Sequence, residues 1–368
     1  MSFYESILRP ILFRLPPETA HDLGISMLKL SLGVPPTGFL YRKSCETWEF
    51  GTLERFGLKF RNPLGVAAGF DKNGRIPGQL ASLGFGFVEV GTVTLDPQVG
   101  NPKPRVFRLP ADRALINRLG FNNDGAAAVC GRLAEKPECA VIGVNIGRNR
   151  DVPNEEAVEN YLATFKLVQP VADYVAVNVS SPNTQGLRDL QSPEMLDELL
   201  SELRKCNEEA ETSKPILLKI APDLTEDQVN GIVETAMKNG IAGIIATNTT
   251  TGREGLRSGE EQLKKAGPGG LSGAPLASKS CSVIRKVFRA SKGALPVIGV
   301  GGIFSGADAF NKIAAGASLL QAYTGFVYRG PGFAKKVNRE LSEILRKKGF
   351  SSVDEAVGTR AEKTRAAP

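Results

Sequence analysis

From Pro63 to about residue 346 the chain repeats one pattern eight times. A short apolar run ends in Gly, Asn, Lys or Thr, and a segment of helical periodicity follows. The runs are Leu64–Ala68, Phe87–Val93, Val141–Ile146, Tyr174–Val179, Ile216–Ile220, Gly243–Thr247, Pro296–Val300 and Ser318–Tyr323. Short runs that are apolar almost throughout suit strands covered on both faces, as in a parallel sheet. Helices are expected near Gln79–Leu83, Ala126–Ala134, Glu155–Leu167, Pro193–Cys206, Glu226–Asn239, Ser278–Ala290, Gly306–Ala314 and Phe333–Arg346. Eight strand–helix units over about 250–300 residues match an α/β fold of the (β/α)8 TIM-barrel type. A doubly wound sheet is the alternative.

In a barrel the C-terminal ends of all eight strands meet at one mouth. The strand that carries most is Asp173-Tyr-Val-Ala-Val-Asn178, which passes directly into Val-Ser-Ser181-Pro-Asn183-Thr184. Alone, that is a strand followed by an Asx/Ser turn. The other ends deliver Ala67-Ala68-Gly69 with Lys72, Thr92, Asn145, Lys219, Thr247-Asn248-Thr249, Gly301-Gly302 and Tyr323-Thr324. A purely structural rim has no need of two lysines and several carboxamides, so the mouth reads as an active site. Gly301-Gly302-Ile-Phe-Ser305-Gly306 after strand seven and Tyr323-Thr324-Gly325 after strand eight read as a phosphate site built from backbone N–H groups and a helix N-terminus. Gly269-Gly270-Leu-Ser272-Gly273 adds a second backbone-rich cradle. Asn117, Asn178, Asn183 and Asn248 can each donate and accept, which suits a planar ring with alternating N–H and C=O groups, such as a pyrimidine. Lys72 would meet a carboxylate, and Lys219 would support negative charge on a reduced flavin. Ser181 remains as the candidate base.

Several function classes fall away. His21 is the only histidine and precedes the repeats, so a Ser-His-Asp hydrolase or a hydroxy-acid oxidase with a histidine base is excluded. Five cysteines, Cys45, Cys130, Cys139, Cys206 and Cys281, form no C-x-x-C pair. That pattern belongs to a reducing compartment and gives neither a disulfide framework nor a metal site. The net charge of +7 would favour RNA, but the chain leaves no room for an added RNA-binding domain, and no nucleic acid is expected as a partner.

Ahead of the repeats, Ser2–Phe13 and the segment from Glu18 to about Leu32 read as two helices with more apolar surface than one narrow stripe. They must cover a partner, the barrel or a membrane surface, and no run reaches the ~20 residues that span a bilayer. Residues 36–60 read as a connector with a hairpin at Trp48–Phe60. Three divisions are expected: a helical part over 1–40, the barrel over 41–350, and a polar, frayed tail over 351–368.

Six stretches together resemble one known family. They are Ala67-Ala-Gly-Phe-Asp-Lys72, Ile116-Asn-Arg-Leu-Gly-Phe-Asn122, Asn178-Val-Ser-Ser-Pro-Asn-Thr-Gln-Gly-Leu-Arg188, Thr247-Asn-Thr-Thr250, Gly269-Gly-Leu-Ser-Gly273 and Ile298-Gly-Val-Gly-Gly302. The pattern is similar to class 2, quinone-dependent dihydroorotate dehydrogenase, over nearly the whole chain. The resemblance implies an FMN-containing barrel that oxidises dihydroorotate to orotate in pyrimidine biosynthesis and passes the electrons to a membrane quinone. It makes Ser181 the base, with Thr184 a candidate relay member; class 1 enzymes carry cysteine at that place. It puts substrate contacts on Lys72, Asn117, Arg118, Leu119, Gly120, Phe121, Asn178, Asn183, Asn248 and Thr249. It puts FMN contacts on Ala67, Ala68, Gly69, Thr92, Asn145, Asn178, Lys219, Thr247, Ser272, Gly273, Gly301, Gly302, Tyr323 and Thr324. His21, Arg108 and Tyr323 become quinone-site candidates, while Leu12 replaces a polar residue of the animal enzymes. The resemblance also implies a monomer held peripherally on the cytoplasmic face of a bacterial cell membrane. The alternative is a shortened form of the mitochondrial inner-membrane enzyme.

Overall fold

The structure is a computed structural model and describes residues 2–361 apart from 46, 47, 138 and 139. Cys139 lies outside the described residues, as does the end of the tail from residue 362. Eight parallel strands close into a barrel. They are β1 Leu64–Val66, β2 Phe87–Val93, β3 Val141–Ile146, β4 Tyr174–Asn178, β5 Ile216–Ile220, β6 Gly243–Ala246, β7 Val297–Val300 and β8 Leu319–Ala322. Neighbours pair in sequence order, and β8 returns to β1 through Leu320↔Leu64 and Ala322↔Val66. Every strand residue except Val141 at the start of β3 is buried, which is why the runs read as continuous apolar sequence. Helices cover the outside in the order the repeat predicts. Small residues make room for large ones: a Cβ on Gly143 of β3 would sit 2.0 Å from the Tyr174 ring, so this glycine admits the ring into the core.

The mouth carries a roof the strand repeat does not announce. Val106–Leu109, Ala114–Asn117 and Gly270–Gly273 form a three-stranded antiparallel sheet with Ala114–Asn117 in the middle. It has its own small core of Leu109, Ala114, Ile116, Ala266 and Leu271. The helical N-terminal part leans against this roof and the last barrel turn. Tyr4 Oη donates to the Val327 carbonyl at 2.8 Å, and the guanidinium of Arg105 pairs with Glu18 at 2.9 Å. Arg108 donates to the carbonyls of Phe13 and Leu15 and lies over the Phe13 ring.

Two expectations are corrected. The connector holds a third helix, Pro35–Lys43, because the Pro35-Pro36 pair starts a helix rather than ending the chain's regular structure; the hairpin shrinks to Leu53–Arg55 and Leu58–Phe60. The expected frayed tail instead turns back over the barrel bottom as far as residue 361. Val353–Ala356 form a helical turn capped by Ser352, Val353 and Ala356 are fully buried, and the Gly358 and Arg360 amides donate to the Ile313 and Ala314 carbonyls. Polar composition hid three small apolar anchors, Val353, Ala356 and Ala361. Burying a valine stabilises by about 1.5–3 kcal/mol. A chain ended at residue 349 should therefore melt roughly 2–4 °C lower by scanning calorimetry, and an unchanged Tm would refute this anchoring role.

Candidate active site

A cavity opens at the barrel mouth beneath the roof sheet, about 1100 Å³ together with the solvent at its opening. Its walls come from the ends of strands far apart in the chain: Ala67-Ala68-Gly69 after β1, Thr92 in β2, Asn178 and Ser181 at β4, Lys219 in β5, Thr247–Thr249 after β6, Gly301-Gly302 after β7 and Tyr323-Thr324 after β8. The roof adds Asn117, Ser272 and Gly273, and the loop beyond it adds Leu119, Gly120 and Phe121. Lys72 and Asn183 complete the set.

The carboxamides are wired in one direction. Asn248 Nδ2 donates to Asn178 Oδ1 at 3.2 Å, and Asn178 Nδ2 donates to Thr92 Oγ1 at 2.9 Å. Thr92 Oγ1 donates to Asn145 Oδ1 at 2.6 Å, and Asn145 Nδ2 donates to Glu89 Oε1 at 2.9 Å. Across the mouth, Asn183 Nδ2 donates to Asn117 Oδ1 at 3.1 Å, and Asn117 Nδ2 reaches the Gly270 carbonyl. Ser181 is buried and its Oγ accepts the Asn183 N–H at 3.2 Å, an orienting bond with no histidine or carboxylate behind it. Arg188 clamps this loop by donating to the carbonyls of Ser180 and Thr249 while pairing with Asp223 at 3.1 Å.

Two of the expected residues stand elsewhere. Arg118 turns outward, donating to the Ala266, Pro268 and Pro104 carbonyls and lying 4.5 Å over the Phe107 ring, so it braces the roof. Asn145 is fully buried behind Thr92, whose hydroxyl it accepts, and does not line the cavity. The phosphate reading also narrows. The helix Gly306–Ala315 has its N-terminus closed by its own partners, since Asp308 accepts from the Phe304 amide and Ser305 Oγ, and Glu340 accepts from the Gly306 amide. What remains for an anion is Gly301-Gly302, Tyr323-Thr324-Gly325 and the Ser272 and Thr324 hydroxyls, 2.8 Å apart. Gly302 has φ +72° and a Cβ there would meet the Ala277 backbone at 2.6 Å, so any side chain would displace this turn.

The sequence reading missed Glu89 and Gln321. Both are fully buried inside strands, where Glu89 pairs with Lys219 at 3.2 Å and accepts from Gln321 Nε2 at 2.7 Å. Their signal was there: a lone Glu or Gln in an otherwise apolar strand that no water reaches must have partners.

A second cavity, about 960 Å³ and mostly apolar, lies between the N-terminal helices and the barrel. His21, Arg108 and Tyr323 all line it, and Val106, Leu115 and Tyr323 face both cavities. Burial, and then the nearby Lys72 charge, push the His21 imidazole down to about 4, so it is neutral at pH 7. Burial raises the Tyr323 hydroxyl to about 12. Burial also lowers the Lys72 ammonium to about 8, against the pull of Glu18.

A parallel barrel whose mouth joins a lysine, a set of carboxamides and a glycine-built anion turn has room and donors for a phosphate-bearing ligand beside a planar polar one. Residues 52–345 match the family model described as dihydroorotate dehydrogenase, and the chain belongs to that family. A protein of Roseiflexus castenholzii named dihydroorotate dehydrogenase (quinone) is 51% identical over 359 residues, 97% of this chain and 96% of the relative. One of Christiangramia forsetii with the same name is 50% identical over 342 residues, covering 92% of this chain and 99% of the relative. The ligand-free crystal structure of the Eimeria tenella enzyme superposes with a TM-score of 0.82 at 37% identity, covering 95% of this chain and 100% of that one.

The Lys72 environment sets a pH dependence. An ammonium lowered to about 8 is charged below that pH and neutral above it. The affinity for a pyrimidine carboxylate should be flat below pH 7 and fall up to about tenfold per pH unit above pH 8. Lys72→Met should weaken binding and abolish the dependence in a ligand titration; a flat profile in the parent protein would remove Lys72 from the anion's site.

Proposed function

We propose that the barrel mouth oxidises dihydroorotate to orotate, with FMN as its flavin and a membrane quinone as the final acceptor. The observation that carries this reading is the convergence of Ser181, Lys72 and the carboxamides on one cavity with Lys219 at its floor. The walls fit FMN: Gly301-Gly302 with Tyr323-Thr324 suit its phosphate, and the buried Gln321 Oε1, which has no partner in the protein, suits a ring N–H. When bound, FMN accepts the hydride from substrate C6 and later yields the electrons to the quinone.

The chain's own groups do the rest. Lys72 holds the substrate carboxylate, and Asn117, Asn178, Asn183 and Asn248 meet the N–H and C=O edges of the ring. Ser181 Oγ takes the C5 proton while C6 loses its hydrogen with the bonding pair, so a C5=C6 double bond forms. The Asn183 N–H steadies charge developing on Ser181 Oγ. A free serine alkoxide is costly near neutral pH, so the proton passes on through water or hydroxyls, with Thr184 as a member of that relay. The roof sheet and the clamped loop keep bulk water from the reacting atoms.

The apolar cavity is the quinone's route, with Tyr323 between its two ends and His21 and Arg108 as the polar groups for the quinone oxygens. Ten of the thirteen large apolar side chains exposed among the described residues lie between Phe3 and Leu40. Among those residues no single helix is long and apolar enough to cross a membrane. Such a surface supports peripheral docking, here on the cytoplasmic face of a bacterial cell membrane, by a monomer whose site is built from one chain.

Ser181→Ala should retain FMN and still bind dihydroorotate, while flavin reduction in stopped flow slows roughly 10²–10⁴-fold. An unchanged rate would assign the base elsewhere. Leu30 and Leu40 are 80% and 65% exposed and far from the chemistry. The double substitution Leu30→Glu, Leu40→Glu should leave flavin reduction by dihydroorotate intact while weakening liposome binding and reoxidation by a long-chain quinone. Unchanged liposome binding would refute docking through this face.

A further inference from the structure

Glu89 is wholly buried and is not among the residues that face the cavity. Four donors converge on its carboxylate. Lys219 Nζ at 3.2 Å and Asn145 Nδ2 at 2.9 Å reach Oε1; Gln321 Nε2 at 2.7 Å and Tyr174 Oη at 3.1 Å reach Oε2. Burial, and then the Glu89 charge, raise the Tyr174 hydroxyl well above its ordinary value, so it remains a neutral donor. A carboxylate only accepts, which dictates the sense of any carboxamide it touches. The Gln321 nitrogen must face Glu89, and its oxygen must face away. Gln321 lines the cavity, is fully buried, and its Oε1 has no hydrogen-bond partner in the protein. A buried acceptor left in that state is costly unless something bound in the cavity donates to it.

We propose that Glu89 is a positioning residue of the flavin site. From behind the cavity wall it holds the Lys219 ammonium on the floor and locks Gln321 with Oε1 presented as the acceptor for a cofactor N–H. This rests on the reading that the cavity holds FMN. The same arrangement sets the reduction potential through two opposed charges. Reduction adds negative charge to the ring; the nearer Lys219 favours it and the farther Glu89 opposes it. Removing the carboxylate charge uncovers the lysine, and removing the lysine uncovers the carboxylate. The two substitutions must therefore move the potential in opposite directions, an outcome that a merely structural core residue would not give.

The test uses holoprotein and a dye-equilibrated reductive titration. Glu89→Gln should raise the midpoint potential and Lys219→Met should lower it, each by about tenfold in the reduction equilibrium, or about 30 mV for a two-electron couple. Gln321→Met keeps the volume and removes the acceptor, so the FMN Kd of the apoprotein, read by flavin fluorescence, should rise about tenfold. Should Glu89→Gln not fold, Tyr174→Phe removes one donor, leaves the carboxylate charge less screened, and should lower the potential. Shifts of the same sign, unmoved potentials, or an unchanged FMN Kd in Gln321→Met overturn the proposal while leaving the cofactor reading standing. A parent apoprotein that takes up no FMN overturns the cofactor reading and this inference together.

Discussion

The site depends on one buried carboxylate and the lysine opposite it. Taking Glu89 and Lys219 out of water is expensive, and their mutual attraction offsets this only when the remaining lone pairs are also met. Here a phenol and two carboxamides meet them. Each donor comes from a different strand of the barrel: Asn145 from β3, Tyr174 from β4, Lys219 from β5 and Gln321 from β8. The polar hub therefore fixes the relative heights of five strands, counting β2 that carries Glu89. The apolar pairs around it fill volume, but a hydrophobic contact alone would tolerate a slip that these bonds do not.

On that barrel, two additions shape the chemistry. The roof sheet lowers Asn117 toward Asn183 and brings Ser272 against Thr324, so the mouth is polar on top as well as below. The N-terminal helices add an apolar chamber that shares Tyr323 with the polar one. A polar and an apolar chamber thus share a common wall. Arg105 ties the two additions together through Glu18, while the carbonyls of Val99 and Asn101 hold its other end.

The barrel was legible because all eight strands are buried on both faces and so leave an unbroken apolar trace. The roof was not, since Val106–Leu109 interrupts its alternation with Arg108 and Gly270–Gly273 reads as a loop. Proline misled in the connector: Pro35-Pro36 ends one helix and begins the next, and sequence alone marks the break without its second meaning. Most site residues followed from strand-end position and from the quoted motifs. Arg118 lies within one of those motifs, yet its side chain points the other way, because a motif fixes the backbone and not each rotamer. Glu89 and Gln321 sit inside apolar strands rather than at strand ends, so neither the repeat nor a motif marks them.

The one-way run of hydrogen bonds from Asn248 through Asn178, Thr92 and Asn145 to Glu89 has a bearing on selectivity. Every carboxamide in it has its nitrogen committed inward because the innermost group can only accept. No single amide can turn over to suit a different ligand without leaving a neighbour facing its own kind. The pattern at the mouth is therefore inherited from the core as a polarity, and it resists correction one residue at a time. A molecule of the right size with the reversed order of N–H and C=O groups would confront the whole series at once. Discrimination between such mirror patterns becomes a collective property of the barrel rather than of any residue that touches the ligand.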